Sequence, residues 1–243
     1  MKRLPLLLSM LAIGVFLAFN TLGSDKIPPT KYERILQSVR ELLVQGHYNP
    51  KDINDDFSKK VFQKYLEQLD PEKSILMQED VEALKKYETT IDDEIKGQPV
   101  QFFLEAGKLF NKRVTEESST YKEILSKPFD FTVDENIITD TKKLQFASSK
   151  AQQTDYIRKR LKYLTLDRYA ELLDIREKNK GKAGFVVKTD AELEKDAREK
   201  VLKIMDRTFD RYKFKFDDDE KFALFVNAIT NLMDPYTEFF PPV

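Results

Sequence analysis

Apolar residues recur at steps of three and four along most of this chain, which is the period of a helix with one buried face. Ile35, Leu36, Val39, Leu42 and Leu43 form the first such stripe, ended by Gly46 and Pro50. Asp52 is the expected N-cap of a second helix, whose face is Phe57, Val61, Phe62, Tyr65, Leu66 and Leu69; Asp70-Pro71 stops it. A third is expected through Val81, Leu84, Tyr87, Ile91 and Ile95 to Gly97. A fourth should start with Pro99 in its first turn, present Phe102, Phe103, Ala106, Leu109, Phe110 and Val114, and run on to Leu125. "SKPFDFTVDENIITDTKK" breaks the period after Pro128 and predicts an ordered crossing loop, in which Phe129, Phe131, Ile137 and Ile138 require burial.

Helix resumes over about Phe146 to Ile175, and "REKNKGKAGFVVKTD" then reads as a charged linker. Thr189 and Glu192 have capping-box spacing ahead of a face made by Leu193, Ala197, Val201, Ile204, Met205, Phe209 and Tyr212. Asp217, Asp218 and Asp219 supply negative charge where a last helix begins, and Phe222, Phe225, Val226, Ile229, Leu232 and Met233 are its stripe. Seven or so helices with no strand alternation predict an all-α, multi-helix domain. "FQKYLEQLDPEKSIL" and "FVNAITNLMDPYTEFF" echo one another, each running an apolar helix into Asp-Pro. Convergent stop signals account for this as well as duplication does.

The first residues differ. Lys2 and Arg3 precede an unbroken apolar run from Leu4 to Phe19, a basic region followed by roughly sixteen apolar residues. Residues 1–24 therefore read as a signal peptide or N-terminal anchor, with Thr21-Leu22-Gly23 as a cleavage site, and residues 28–243 as the helical domain. Either form of the leader exports the chain, and membrane contact is expected only through an uncleaved leader.

Composition narrows the chemistry. The 41 basic and 42 acidic residues leave a net charge of -1, so no global attraction to nucleic acid is expected. Cysteine is absent, which removes disulfides, thiolate metal sites and cysteine nucleophiles. His47 is the single histidine and reads as an ordinary helix-end or surface residue. Ser148, Ser149 and Lys150 are adjacent, but neighbours on a helix point in different directions. "GKAGF" from Gly181 loosely matches a carboxylate-binding loop, yet its flanks are helical, so it reads as linker. No catalytic, cofactor or metal residue is assigned.

Four stretches carry a resemblance: "FSKKVFQKYLEQLD" from Phe57, "DVEALKKY" from Asp80, "KPFDFT" from Lys127 and, above all, "MDPYTEFFPP" from Met233. Together they resemble the N-terminal region of the tail-specific proteases, the carboxy-terminal processing peptidases of the Gram-negative cell envelope. In that family a segment of the form Asp-Pro-His-Thr-x-Tyr-x-x-Pro closes the helical region and leads into a PDZ domain. Asp234, Pro235 and Thr237 match it directly, Tyr236 replaces the histidine, Phe239 the tyrosine, and Pro242 takes the place of the last proline.

The resemblance implies a joint at Asp234–Pro242, with a PDZ domain and a serine-lysine protease domain as downstream partners that lie outside this chain. It implies a periplasmic scaffold of a serine endopeptidase that trims or degrades proteins from their C-termini. The scaffold would frame the substrate path and dock protein or peptide substrates and a helical-repeat adaptor. The competing expectation is a free-standing exported helical protein-binding module without enzymatic activity. On either view Met233, Phe239 and Phe240 are expected to pack against the last two helices.

Overall fold

The computed structural model describes residues 30–241 of the chain. The expected leader and Pro242 lie outside the described residues. Nine α-helices occur among those described: α1 (Lys31–Glu41), α2 (Asp55–Leu69), α3 (Gln78–Leu84), α4 (Ile91–Ile95), α5 (Phe102–Glu117), α6 (Thr120–Leu125), α7 (Lys150–Asn179), α8 (Asp190–Phe214) and α9 (Asp218–Met233). The β-structure among them is an isolated parallel bridge between Met77 and Ala147. None of these helices is long and apolar enough to cross a membrane.

The centre is built from α2, α5 and α9. Tyr65, Phe102 and Phe225 are fully buried and meet as a three-ring cluster with centroids 5.3, 5.6 and 5.8 Å apart. Edge-on aromatic pairs of this kind add about 0.5–1.5 kcal/mol each beyond the area they bury. Phe103 stacks on Phe225 at 5.8 Å and extends the cluster. The two helices that echo each other in sequence, α2 and α9, pack against one another. Asp70 ends α2: its buried carboxylate accepts N–H bonds from Ser74, Ile75 and Leu76 at 3.1, 2.9 and 2.8 Å.

Several element boundaries move from where periodicity sets them. Asn54, not Asp52, caps α2, its Oδ1 accepting from Phe57 N at 3.1 Å. The expected third helix is broken into α3, a single 3-10 turn at Lys85–Tyr87, and α4. The cause is a buried tie to α2: Ser58 Oγ donates to Asp92 Oδ1 at 2.7 Å and accepts from Asp92 N at 2.8 Å. That exchange consumes the N–H at the start of α4 and redirects the chain. Gly97 then closes α4 at φ 116°, a conformation other residues rarely adopt. Pro99 falls before α5 rather than in its first turn, because Glu94 Oε1 reaches forward to accept from Gln101 N and Phe102 N. α5 does not continue to Leu125. It breaks at Ser118-Ser119, where Ser118 Oγ donates to Thr115 O at 2.8 Å in competition with the ladder.

The crossing segment between α6 and α7 is strapped to α7, to α3 and to the turn before α3. Lys162 Nζ donates to Val133 O at 2.8 Å and pairs with Glu135 at 2.7 Å, and Arg158 forks onto the same carboxylate. Lys73 Nζ donates to Leu144 O, and Gln78 N to Ala147 O at 2.9 Å. Phe129, Phe131 and Ile137 are half-buried, while Ile138 is exposed, because the segment is extended and turns it outward. α7 begins at Lys150, not Phe146, since Ser149 Oγ accepts from Gln152 N as its cap. It runs past Ile175 to Asn179.

Thr189 and Glu192 form the expected capping box of α8. Ile204, expected on its buried face, is exposed. Asp217 Oδ1 accepts from Asp219 N and Glu220 N at the start of α9, where the acidic run suits the helix dipole.

Candidate functional site: the C-terminal joint

The joint starts where α9 runs out of partners for its carbonyls. Asp234 N still donates to Thr230 O, but the Asp234 backbone is extended, with φ -153° and ψ 130°. Asp-Pro then makes a tight turn. Thr237 N donates to Asp234 O at 3.1 Å. The Asp234 side chain fixes that turn, one oxygen accepting from Tyr236 N at 3.1 Å and the other from Thr237 Oγ at 3.2 Å. Asx-type bonding of this sort is why aspartate suits the first position of a turn. These donors, Tyr236 N first, hold the Asp234 carboxyl below its usual range.

After the turn the chain doubles back along α9. Asn231 Nδ2 donates to Thr237 O at 3.0 Å. Asn227 grips Phe239 on both sides, its Nδ2 donating to Phe239 O at 3.0 Å and its Oδ1 accepting from Phe239 N at 2.7 Å. One amide side chain thus satisfies both backbone groups of a residue with no sheet to join. Asn227 and Asn231 are four apart, so both project from one face of α9. The tail extends from them toward the N-terminal end of that helix. Phe239 is half-buried and meets Phe222 edge-on at 6.3 Å.

The loop after α1 supports the turn from the other side. His47 Nδ1 accepts from Asn49 N at 3.1 Å, which leaves Nε2 directed at Asp234 Oδ2, 3.7 Å away. Lys51 N donates to Met233 Sδ at 2.9 Å, and Lys51 Nζ to Leu232 O at 2.5 Å. The ammonium therefore sits on a terminal carbonyl of α9, where a cation is favoured.

The residues singled out from sequence divide clearly. Asp234, Pro235, Tyr236, Thr237 and Phe239 lie together in the turn and its returning arm. Met233 is buried as expected. Phe240 is not packed: it is 78% exposed, because Asn227 turns Phe239 inward and the alternation of an extended chain sends its neighbour out. Tyr236 is 92% exposed at the tip of the turn. Asn227 and Asn231 escaped the sequence reading. Their signal was there, two amides at helical spacing inside an otherwise apolar stretch.

Ser148 and Lys150, neighbours in sequence, are not paired with each other. Ser148 Oγ donates to Gln152 Oε1, while Lys150 pairs with Glu117 across on α5, so these neighbours face different partners. The described residues contain no group of three His, Asp or Glu placed to hold a metal ion. The turn and the two asparagines fix the direction of the chain after α9 and leave the Tyr236 and Phe240 rings bare.

A stretch of 145 residues is 29% identical to the tail-specific protease of Haemophilus influenzae (strain ATCC 51907 / DSM 11121 / KW20 / Rd), covering 58% of this chain and 21% of that protein. The match thus spans about a fifth of the relative's length. Residues 38–243 match the family described as "Tail specific protease N-terminal domain". The chain belongs to the family of tail-specific protease N-terminal domains.

Proposed function

We propose that this chain is the helical scaffold of an exported tail-specific serine protease, working in the periplasm. It frames the route by which a substrate's C-terminal end reaches the protease and docks protein partners, a helical-repeat adaptor among them. Cleavage itself is assigned to serine and lysine residues of a downstream protease domain, reached through a PDZ domain that follows the joint. The observation that carries this reading is the returning arm: Asn227 and Asn231 aim the chain back along α9 and leave Tyr236 and Phe240 uncovered. Exposed aromatics beside a rigid exit suit a neighbouring module's surface.

The test is to purify the chain and titrate it against fluorescent peptides with unfolded C-termini, following anisotropy and, by mass spectrometry, peptide integrity. Saturable binding with the peptides intact is the expected result. Hydrolysis by this chain alone would overturn the assignment of chemistry elsewhere, and failure to bind any peptide would overturn the docking role.

A further inference from the structure

Between α6 and α7 the chain runs extended without joining a sheet. From Asp134 to Thr139 no backbone N–H or C=O bonds to another protein group among the described residues. The returning arm after α9 meets the same difficulty and resolves it with Asn227 and Asn231. Backbone groups left without such a partner belong in water or against another chain. The segment is nonetheless held as a strand would be. Glu135 and Ile137 are half-buried while Asp134, Asn136 and Ile138 are exposed, the period of two of a strand with one face on a support. Lys162 holds Val133 O at its start and, with Arg158, the Glu135 carboxylate within it. The edge is therefore ordered before any partner arrives, which spares binding that cost. Val133 and Ile138, with Tyr163 and Leu166 from α7, are 42 to 51% exposed around it. Val133, Ile137, Tyr163 and Leu166 line a cavity of about 260 Å3 beside the segment.

Hydrogen bonding decides what covers such an edge. A helix arrives with its own backbone bonds made, and a lipid surface carries no row of N–H and C=O groups. An extended chain presents both along its edge, at the spacing this segment needs. Charge adds a preference: Asp134 is exposed and has no ion pair among the described residues, so it favours a cation opposite it. We infer that Asp134–Thr139 is a strand-addition site for an extended stretch of unfolded polypeptide. The incoming chain pairs with it backbone to backbone, sets an apolar side chain against Tyr163 and Leu166, and places a basic residue opposite Asp134. The inference rests on the docking role proposed above and gives one contact of that role its chemistry.

The experiment titrates the 15N-labelled chain with an acetylated, amidated peptide, Thr-Lys-Val-Thr-Val-Lys-Thr, and follows amide shifts and hydrogen exchange by NMR. The expected result is saturable shifts at the segment and the adjoining face of α7. Exchange should slow about ten-fold or more at alternate amides between Asp134 and Thr139, because successive residues of a strand face opposite edges. The same peptide with its inner nitrogens methylated has no donor on either edge and should bind about ten-fold more weakly or worse. Serine in place of both valines should weaken binding to a similar degree, and Asp134→Lys, at an exposed position, should weaken it about three-fold. Equal affinity for the methylated peptide, or no slowed amide in the segment, overturns strand addition. Equal affinity for the serine peptide removes the cavity contact, and unchanged affinity in Asp134→Lys removes the charge pairing. Saturable binding with shifts confined to other residues leaves the docking role standing and removes this site. No binding at all removes both.

Discussion

Replacing Asn227 with alanine should release the returning arm while leaving the helical body folded. The side chain makes two bonds to one residue, donating to Phe239 O at 3.0 Å and accepting from Phe239 N at 2.7 Å. At about 0.5–1.5 kcal/mol net for each, the pair is worth about 1–3 kcal/mol. Asn227 is only half-buried, so alanine leaves no orphaned polar group in the core. The loss should fall on local opening of the arm rather than on global unfolding. Hydrogen exchange at the Phe239 amide reads this directly: a loss of about 2 kcal/mol lowers its protection roughly thirty-fold. Amides in the middle of α9 should be unaffected. Asn227→Asp separates the two halves, since it keeps the acceptor for Phe239 N and loses the donor to Phe239 O, and should give a smaller drop. Unchanged protection at Phe239 in the alanine variant would refute the clamp, because the amide would then owe its shielding to something else.

Three further outcomes follow from the same contacts. Burial pushes the Glu94 carboxyl up to about 7 against the pull of the Phe102 and Gln101 N–H groups. An acid with a higher pKa folded than unfolded binds more protons when folded, so stability should rise as pH falls from about 7 toward the unfolded value near 4.3. Thermal melts at about pH 7.5 and about pH 5.5 should show this, and Glu94→Gln should flatten most of the difference. Asp70, pushed up to about 6 by burial, keeps a residue of it; an unaltered slope in Glu94→Gln would contradict the assignment. Phe240→Ala should change urea stability by no more than about 0.5 kcal/mol, while Phe225→Ala, at the ring cluster, should cost about 3–5 kcal/mol. Similar values for the two would contradict the burial pattern. Arg113 holds the buried Asp80 carboxylate through Nε at 2.8 Å and Nη2 at 3.0 Å. Arg113→Met should cost about 3–5 kcal/mol in urea denaturation, and adding Asp80→Asn, which removes the charge but keeps an acceptor for Met77 N, should recover much of it, because the unpaired charge is the main penalty.

Much of the fold was legible because one mechanism dominates it. Stripes such as Phe57-Val61-Tyr65 and Phe222-Phe225-Ile229 are read from spacing alone, and burial follows the spacing. Caps written into adjacent residues, Thr189 with Glu192 and Asp217 with its successors, were equally plain. Sequence reading failed where a side chain outside the helix set the boundary. Nothing near Pro99 reports that Glu94 caps α5, and nothing near Thr90 reports that Ser58 takes the Asp92 N–H. The joint was legible as a motif but not as a shape. Asp-Pro announces a turn, but the direction taken after it depends on Asn227 and Asn231, whose partners lie 6 to 12 residues further on. Phe240 was misplaced for the same reason, since an aromatic in an extended segment is buried or bare according to register.

The helix α7 carries a consequence of another kind. Its fully buried residues lie between Gln153 and Thr165, so the stretch from Leu166 to Asn179 projects about 21 Å past the last of them. There it is braced by α8 and by the Phe131 ring stacked on Tyr169 at 5.5 Å. Such a cantilever has leverage: a tilt of a few degrees at its root sweeps the Gly181 end through an ångström or more. The Glu135 anchorage of the crossing segment, gripping Arg158 and Lys162 at that root, is the bearing on which such a swing would turn.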